Sequence, residues 1–195
     1  LNGVSINLEF ISANPTGPLH LGHTRWAAVG DALGRVLAAA GAKVTQEFYI
    51  NDRGNQMDLF GASVEAAALG LPIPENGYQG EYIGDLAKTL VAQDKSILEL
   101  VGQARTTEFR ERAYKLQLAQ QQGVLETFHT HFDVWFSERT LHESGAVEHG
   151  MDKLRKQGHV FELEDATWLR TTDYGDDKDR VLIKSDGSYT YFSSD

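Results

Sequence analysis

Two histidines, His20 and His23, stand three residues apart in the run "SANPTGPLHLGH", Ser12 to His23. Beyond them apolar residues recur at helical spacing: Trp26, Val29, Leu33, Leu37 and Ala40. Residues three apart on a helix share a face. At the first turn, unpaired N–H groups and the helix dipole already favour an anion such as phosphate. Two imidazoles placed there can donate hydrogen bonds to phosphate oxygens. In a nucleotidyl transfer such donors stabilise charge as it develops, each by roughly 2–4 kcal/mol. Gly17 and Gly22 let backbone and ligand approach closely. The same spacing also fits a structural pair or a partial metal site. A catalytic zinc takes three protein ligands, and no third one stands nearby, so no protein metal site is expected.

The elements around the pair explain how it could be presented. Val4, Ile6, Leu8 and Phe10 alternate with Ser5, Asn7 and Glu9, which predicts a strand. Ser12 to Pro18 is a loop of turn formers, and a helix runs from Leu21 to a stop at Gly41. Lys43 to Ile50, "KVTQEFYI", is a second strand. Strand, loop, helix and strand make a right-handed βαβ unit with parallel strands. In such sheets ligands bind beyond the carboxyl ends of the strands. The loop Ser12–His23 sits at one such end and "NDRGNQ", Asn51 to Gln56, at the next. Asn51, Asp52 and Gln56 are therefore possible cleft-lining residues, or caps for a helix starting near Met57.

The rest of the chain changes character twice. Helical patterning dominates from Met57 to Leu154, with Phe109, Ala113, Leu116, Leu125 and Phe128 at core spacing. "ATWLRTT" and "RVLIKSDGSYTYF" are β-rich, and Asp186-Gly187 is a hairpin turn. The expected organisation has three parts. Residues 1–70 form the first half of a Rossmann-like nucleotide-binding core, 71–165 a mostly helical insertion, and 166–195 a β-rich return to the core. The fold class is α/β, a Rossmann-like parallel sheet with a mostly helical insertion.

Composition narrows the function classes. The 195 residues include 28 acidic and 18 basic ones, a net charge of −10, which argues against a general nucleic-acid coat. There are no cysteines, so disulfides and cysteine zinc sites are excluded. No apolar run approaches membrane-spanning length, and the first ten residues do not pattern as a signal peptide. A cytoplasmic protein without a membrane partner is expected. Both ends read as cut from a longer chain.

At this point a resemblance becomes specific. "HLGH" after "NPTGP" resembles the HIGH box of class I aminoacyl-tRNA synthetases. The wider run "EFISANPTGPLHLGHTR" resembles the bacterial-type arginyl-tRNA synthetases. So do "VTQEFYINDRGNQ", "FDVWFSE" and "WLRTTDYGDDKDRVLIKSDGSYTYFSSD", in the family's order over nearly the whole chain. The resemblance implies a ligase that joins arginine to ATP as arginyl-adenylate, then transfers the arginyl group to the 3′-end of tRNA(Arg). It implies His20 and His23 as catalytic residues, and Pro15, Gly17, His20, Gly22 and His23 as the ATP-binding set. Leu21 replaces the usual isoleucine or valine, a mild change at a packing position. Magnesium would come with the ATP phosphates.

The resemblance also implies an arginine site of Glu9, Ser12, Asn14, Tyr191 and Asp195, the last two matching a Tyr-x-x-x-Asp pair. The chemistry agrees. A guanidinium carries five donors in a planar fork and stays protonated, so it calls for carboxylate, amide and hydroxyl oxygens. The KMSKS-like loop of the class is absent from these residues, as are the family's tRNA-contacting domains. Most tRNA contact is therefore expected elsewhere, the state is expected to be a monomer, and the 195 residues alone are expected not to aminoacylate. Two rivals remain: a small HxGH-type nucleotidyltransferase and a non-enzymatic truncated paralogue.

Overall fold

The computed structural model describes residues 1–193. The chain divides into two compact units, Leu1–Ser137 and Glu138–Asp195. The first opens with β1 (Ser5–Glu9), α1 (Leu21–Ala39) and β2 (Lys43–Ile50). β1 and β2 pair in parallel, from Ser5 opposite Lys43 to Glu9 opposite Glu47. The expected βαβ unit is thus present, and α1 ends just before Gly41, whose φ is +93°.

The face that α1 lays on the sheet differs from its apolar stripe. Its buried residues are Ala27, Gly30 and Gly34. A Cβ on Gly30 would lie 2.2 Å from the Phe10 ring, and one on Gly34 would lie 2.7 Å from Gln46 Oε1. The strand supplies the bulk, so the helix must supply the space. Trp26, Val29, Leu33 and Val36 lie on the solvent side, with Trp26 at 61% exposure.

A helical layer follows: α2 (Asn55–Leu69), α3 (Glu81–Gln93), a 3₁₀ turn at Lys95–Glu99, and α4 (Gly102–Thr127). Its core holds Met57, Phe60, Val64, Ile83, Leu90 and Phe109. β3 (Val134–Ser137) then pairs in parallel with β2, from Glu47 opposite Val134 to Ile50 opposite Ser137, giving the order β1-β2-β3. The helical excursion therefore runs from Asn55 to Thr127, and the return to parallel sheet comes at Val134, earlier than residue 166. Four residues are too few to show a strand period in sequence.

The buried residues of α4 are Phe109, Ala113, Gln117, Gln121 and Leu125, one every fourth position. At 3.6 residues per turn such a stripe drifts about 40° with each step. Phe109 and Ala113 face the helical core, while Leu125 packs with Ala13, Ala27, Phe48 and Ile50 against the sheet. The two glutamines occupy the crossover between the two cores.

The second unit holds α5 (Glu138–Glu143), α6 (Ala146–Lys156), β4 (Val160–Leu163), β5 (Ala166–Leu169) and β6 (Arg180–Ile183). Its sheet is antiparallel, ordered β4-β5-β6, so the β-rich residues expected to rejoin the parallel core form a sheet of their own. Glu164 and Asp165 both have positive φ, 53° and 59°, as a type I′ hairpin requires. The predicted turn at Asp186-Gly187 forms, with Lys184 N–H donating to Ser188 O at 2.9 Å. Val147, Met151 and Leu182 make the core of this unit. Arg180 grips Asp176 bidentately at 2.7 Å through Nε and Nη2, which holds that carboxyl far below the usual range. Among the described residues no helix is long and apolar enough to cross a membrane.

Candidate active site

β1 ends in two consecutive left-handed residues, Ile11 at φ 68° and Ser12 at φ 46°. A β-branched residue rarely adopts this conformation, and such strain persists where surrounding structure over-determines it. The reversal brings side chains together beyond the sheet. Ser12 Oγ donates to Glu9 Oε1 at 2.6 Å and accepts from Tyr49 N–H at 3.1 Å. Asn14 Nδ2 donates to Gln56 Oε1 at 2.6 Å. Glu9, Ser12, Asn14 and Gln56 thus gather at the carboxyl ends of β1 and β2. The carboxylate of Glu9 keeps lone pairs for a cationic ligand. Its register neighbour Glu47 adds a second acid on the same strand face, accepting from Asn7 Nδ2 at 3.1 Å.

The histidines form the N-terminus of α1. His20 is the N-cap: its Nδ1 accepts from Gly22 N–H at 3.1 Å, and His23 Nδ1 accepts from His20 N–H at 3.1 Å. This is a capping box built from two imidazoles rather than Ser and Glu. The rings stack, centroids 3.8 Å apart and 27° from parallel. A backbone N–H can only donate, so each Nδ1 is unprotonated, and each neutral ring carries its proton on Nε2. Burial, then the neighbouring His20, lowers the pKa of His23, so His23 is neutral at pH 7. Gly22 lies close under the ring: a Cβ there would sit 3.0 Å from His20 Cε1, so the imidazole would have to give way. The result is two Nε2–H donors on one helix end.

The loop between these groups is held from below. Ala13, Pro15 and Thr16 are buried, so Pro15 packs under the loop and offers no surface to ATP, against expectation. Tyr82 Oη, on α3, donates to Thr16 O at 3.0 Å. Burial, then Tyr78, raises the pKa of that phenol, so it stays protonated and donating. Gln121 Nε2, on α4, donates to Asn14 O at 3.0 Å and to Gly17 O at 2.8 Å. Sequence reasoning missed Tyr82 and Gln121. The available signal was a pair of glutamines, Gln117 and Gln121, interrupting an apolar i, i+4 stripe.

The second strand end is also corrected. Asp52 is 1% exposed and accepts from Tyr114 Oη at 2.9 Å and Ser137 Oγ at 2.6 Å. It ties α4 and β3 to β2 and does not line a cleft. The N-cap of α2 is Gly54, without a side-chain cap, so Asn51 and Gln56 are not its caps. Asn51 is half-buried and Gln56 exposed. Tyr191 lies in the second unit, in a 3₁₀ turn at Tyr191–Ser193, and is 77% exposed. Asp195 lies outside the described residues.

The family model described as tRNA synthetases class I (R), catalytic domain, matches residues 2–195. The chain belongs to this family. An arginine–tRNA ligase of Renibacterium salmoninarum is 57% identical over all 195 residues, and one of Micrococcus luteus is 51% identical over the same span. The chain covers 36% and 35% of these two relatives, so it spans about a third of their length. A crystal structure assigned as an arginyl-tRNA synthetase of Campylobacter jejuni superposes with a TM-score of 0.90 at 35% identity, covering 99% of this chain and 43% of that one. The fold is therefore the α/β class I catalytic-domain fold of the arginyl family. Within this fold His20, Leu21, Gly22 and His23 are arranged as the N-terminal cap and first turn of α1.

Proposed function

We propose that the chain is the N-terminal part of the catalytic domain of an arginine–tRNA ligase. It binds arginine and ATP, joins them as arginyl-adenylate with release of pyrophosphate, and serves transfer of the arginyl group to the 3′-end of tRNA(Arg). One observation carries the reading: His20 and His23 spend both Nδ1 atoms on capping α1 and retain both Nε2–H groups for phosphate. As the carboxylate of arginine attacks the α-phosphorus, charge grows on the phosphate oxygens. Fixed Nε2–H donors stabilise that charge without reorganising. Gly17 and Gly22 give the nucleotide close access to the backbone beside them. ATP enters as its magnesium complex.

Glu9, Ser12 and Asn14 supply acceptors for arginine at the adjoining strand end. Residues 1–70 serve as the nucleotide-binding half, completed by β3. The protein works as a cytoplasmic monomer, with most tRNA contact made by segments other than these residues. The test is aminoacylation of tRNA(Arg) by the full-length protein, with lysine and citrulline as competing substrates. Arginine-specific charging lost in His20→Ala and His23→Ala supports the reading. Charging that survives both substitutions, or no charging by the unaltered protein, overturns it.

A further inference from the structure

Gln121 reaches the signature loop from the far end of the helical layer, more than a hundred residues away in sequence. It is 1% exposed. A neutral amide NH₂ has two donors, and both are used, on the carbonyls of Asn14 and Gly17. The opposite flip would set Oε1 against two acceptors, so the network fixes the orientation. Its own Oε1 has no hydrogen-bond partner among the described residues. An unpaired buried acceptor is unfavourable, and packing alone would be better served by leucine or methionine at this position. The amide is therefore retained for its two donors.

What those donors join is specific. Asn14 belongs to the arginine end of the loop, through its side chain and Gln56. Gly17 is three residues from His20, at the ATP end. Between them the backbone turns through buried Pro15 and Thr16, after two residues in strained conformations. We propose that Gln121 is a positioning residue that fixes the spacing between the arginine-binding and ATP-binding ends of this loop. The inference rests on the proposed ligase reading. Reaction between two bound substrates depends on their mutual placement, and a shift of about 1 Å can cost roughly 100-fold in rate. Loss of Gln121 therefore acts on the joint placement and leaves each separate affinity in place.

The test uses the full-length protein carrying Gln121→Met, which keeps the length and apolar stem of the side chain. Steady-state aminoacylation is measured together with binding of arginine, of ATP, and of a non-hydrolysable arginyl-adenylate analogue that spans both ends. The expected result is a kcat lower by about 10- to 100-fold, with a comparable loss of analogue affinity. The KM for arginine and for ATP should stay within about threefold. Gln121→Asn, which withdraws the amide by one methylene, is the second variant should the first fail to fold, and the same split is expected. If a folded variant matches the unaltered protein in kcat and analogue affinity, the inference is overturned. It is also overturned if affinity for arginine alone falls as far as affinity for the analogue, since Gln121 would then be shaping one pocket. If the unaltered protein neither charges tRNA nor binds the analogue, the ligase reading itself fails.

Discussion

The imidazole of His20 stacks on that of His23 at 3.8 Å, and each closes a hydrogen bond on the backbone at the start of α1. One pair of side chains thus terminates a helix and presents its donors. The two roles use different nitrogens, so they can be separated by substitution.

His20→Asn keeps a good capping acceptor and loses the Nε2–H donor. The expected result is a melting temperature close to that of the unaltered protein, with aminoacylation slower by about 10²–10³-fold. His20→Ala should lose about 1 kcal/mol of stability in addition. Thermal denaturation and steady-state kinetics on the same preparations check both statements.

Nitrogen-15 NMR of the histidine rings at pH 7.5 should place the proton of both rings on Nε2. Acidification has a definite sign. The pKa of His23 is lowered in the folded state, so just below the ordinary value of about 6.5 the unfolded chain binds more protons than the folded one. Stability from this group is complete above about pH 6.5 and falls as the pH drops below it. Protonated Nδ1 cannot accept, so hydrogen exchange at the His20 amide, corrected for intrinsic rate, should be faster at pH 5.5 than at pH 7.5.

Gly30→Ala drives a methyl into the Phe10 ring, where a Cβ would stand 2.2 Å from ring carbon. A destabilisation of about 1–3 kcal/mol is expected. Phe10→Leu in the same background should recover part of it. Chemical denaturation of the double-mutant cycle measures the coupling.

The exposed row Trp26, Val29, Leu33 and Val36 is a contiguous apolar strip on one helix. Strips of this kind promote association. Apart from the full-length protein, which is proposed to be a monomer, the 195 residues should self-associate in a concentration-dependent way, and Val29→Glu with Leu33→Lys should reduce it. Light scattering across a dilution series reads the difference.

The sequence carried the βαβ opening because alternation in β1 and the apolar period of α1 are long enough to declare themselves. It misdirected attention on α1, since large apolar residues mark a period without saying which side meets the sheet. Gly30 and Gly34 make that contact by being small. β3 was hidden by its four-residue length. At the site, Glu9, Ser12, Asn14, His20 and His23 were legible as residue types at a strand end and a helix start. Their hydrogen-bond roles were not, because the tautomers depend on which backbone amides each ring meets. Pro15 and Asp52 lie in polar or turn-forming runs, and only packing shows that both are buried. Gln121 was illegible for a further reason: its partners are over a hundred residues away.

The pairing of β3 with β2 has a consequence for how the chain reaches this state. The backbone N–H of Gln46 donates to the carboxylate of Asp133, 87 residues on, so the parallel sheet cannot close until a long loop has been brought round. Closing such a loop is entropically unfavourable, and non-local pairing of this kind slows folding. The helices between them contact near neighbours and can assemble first. Once they have, the far end of α4 already carries Leu125 and Gln121 toward the place where the sheet core and the loop will form. The excursion then works as a splint, shortening the search that β3 must make for its edge.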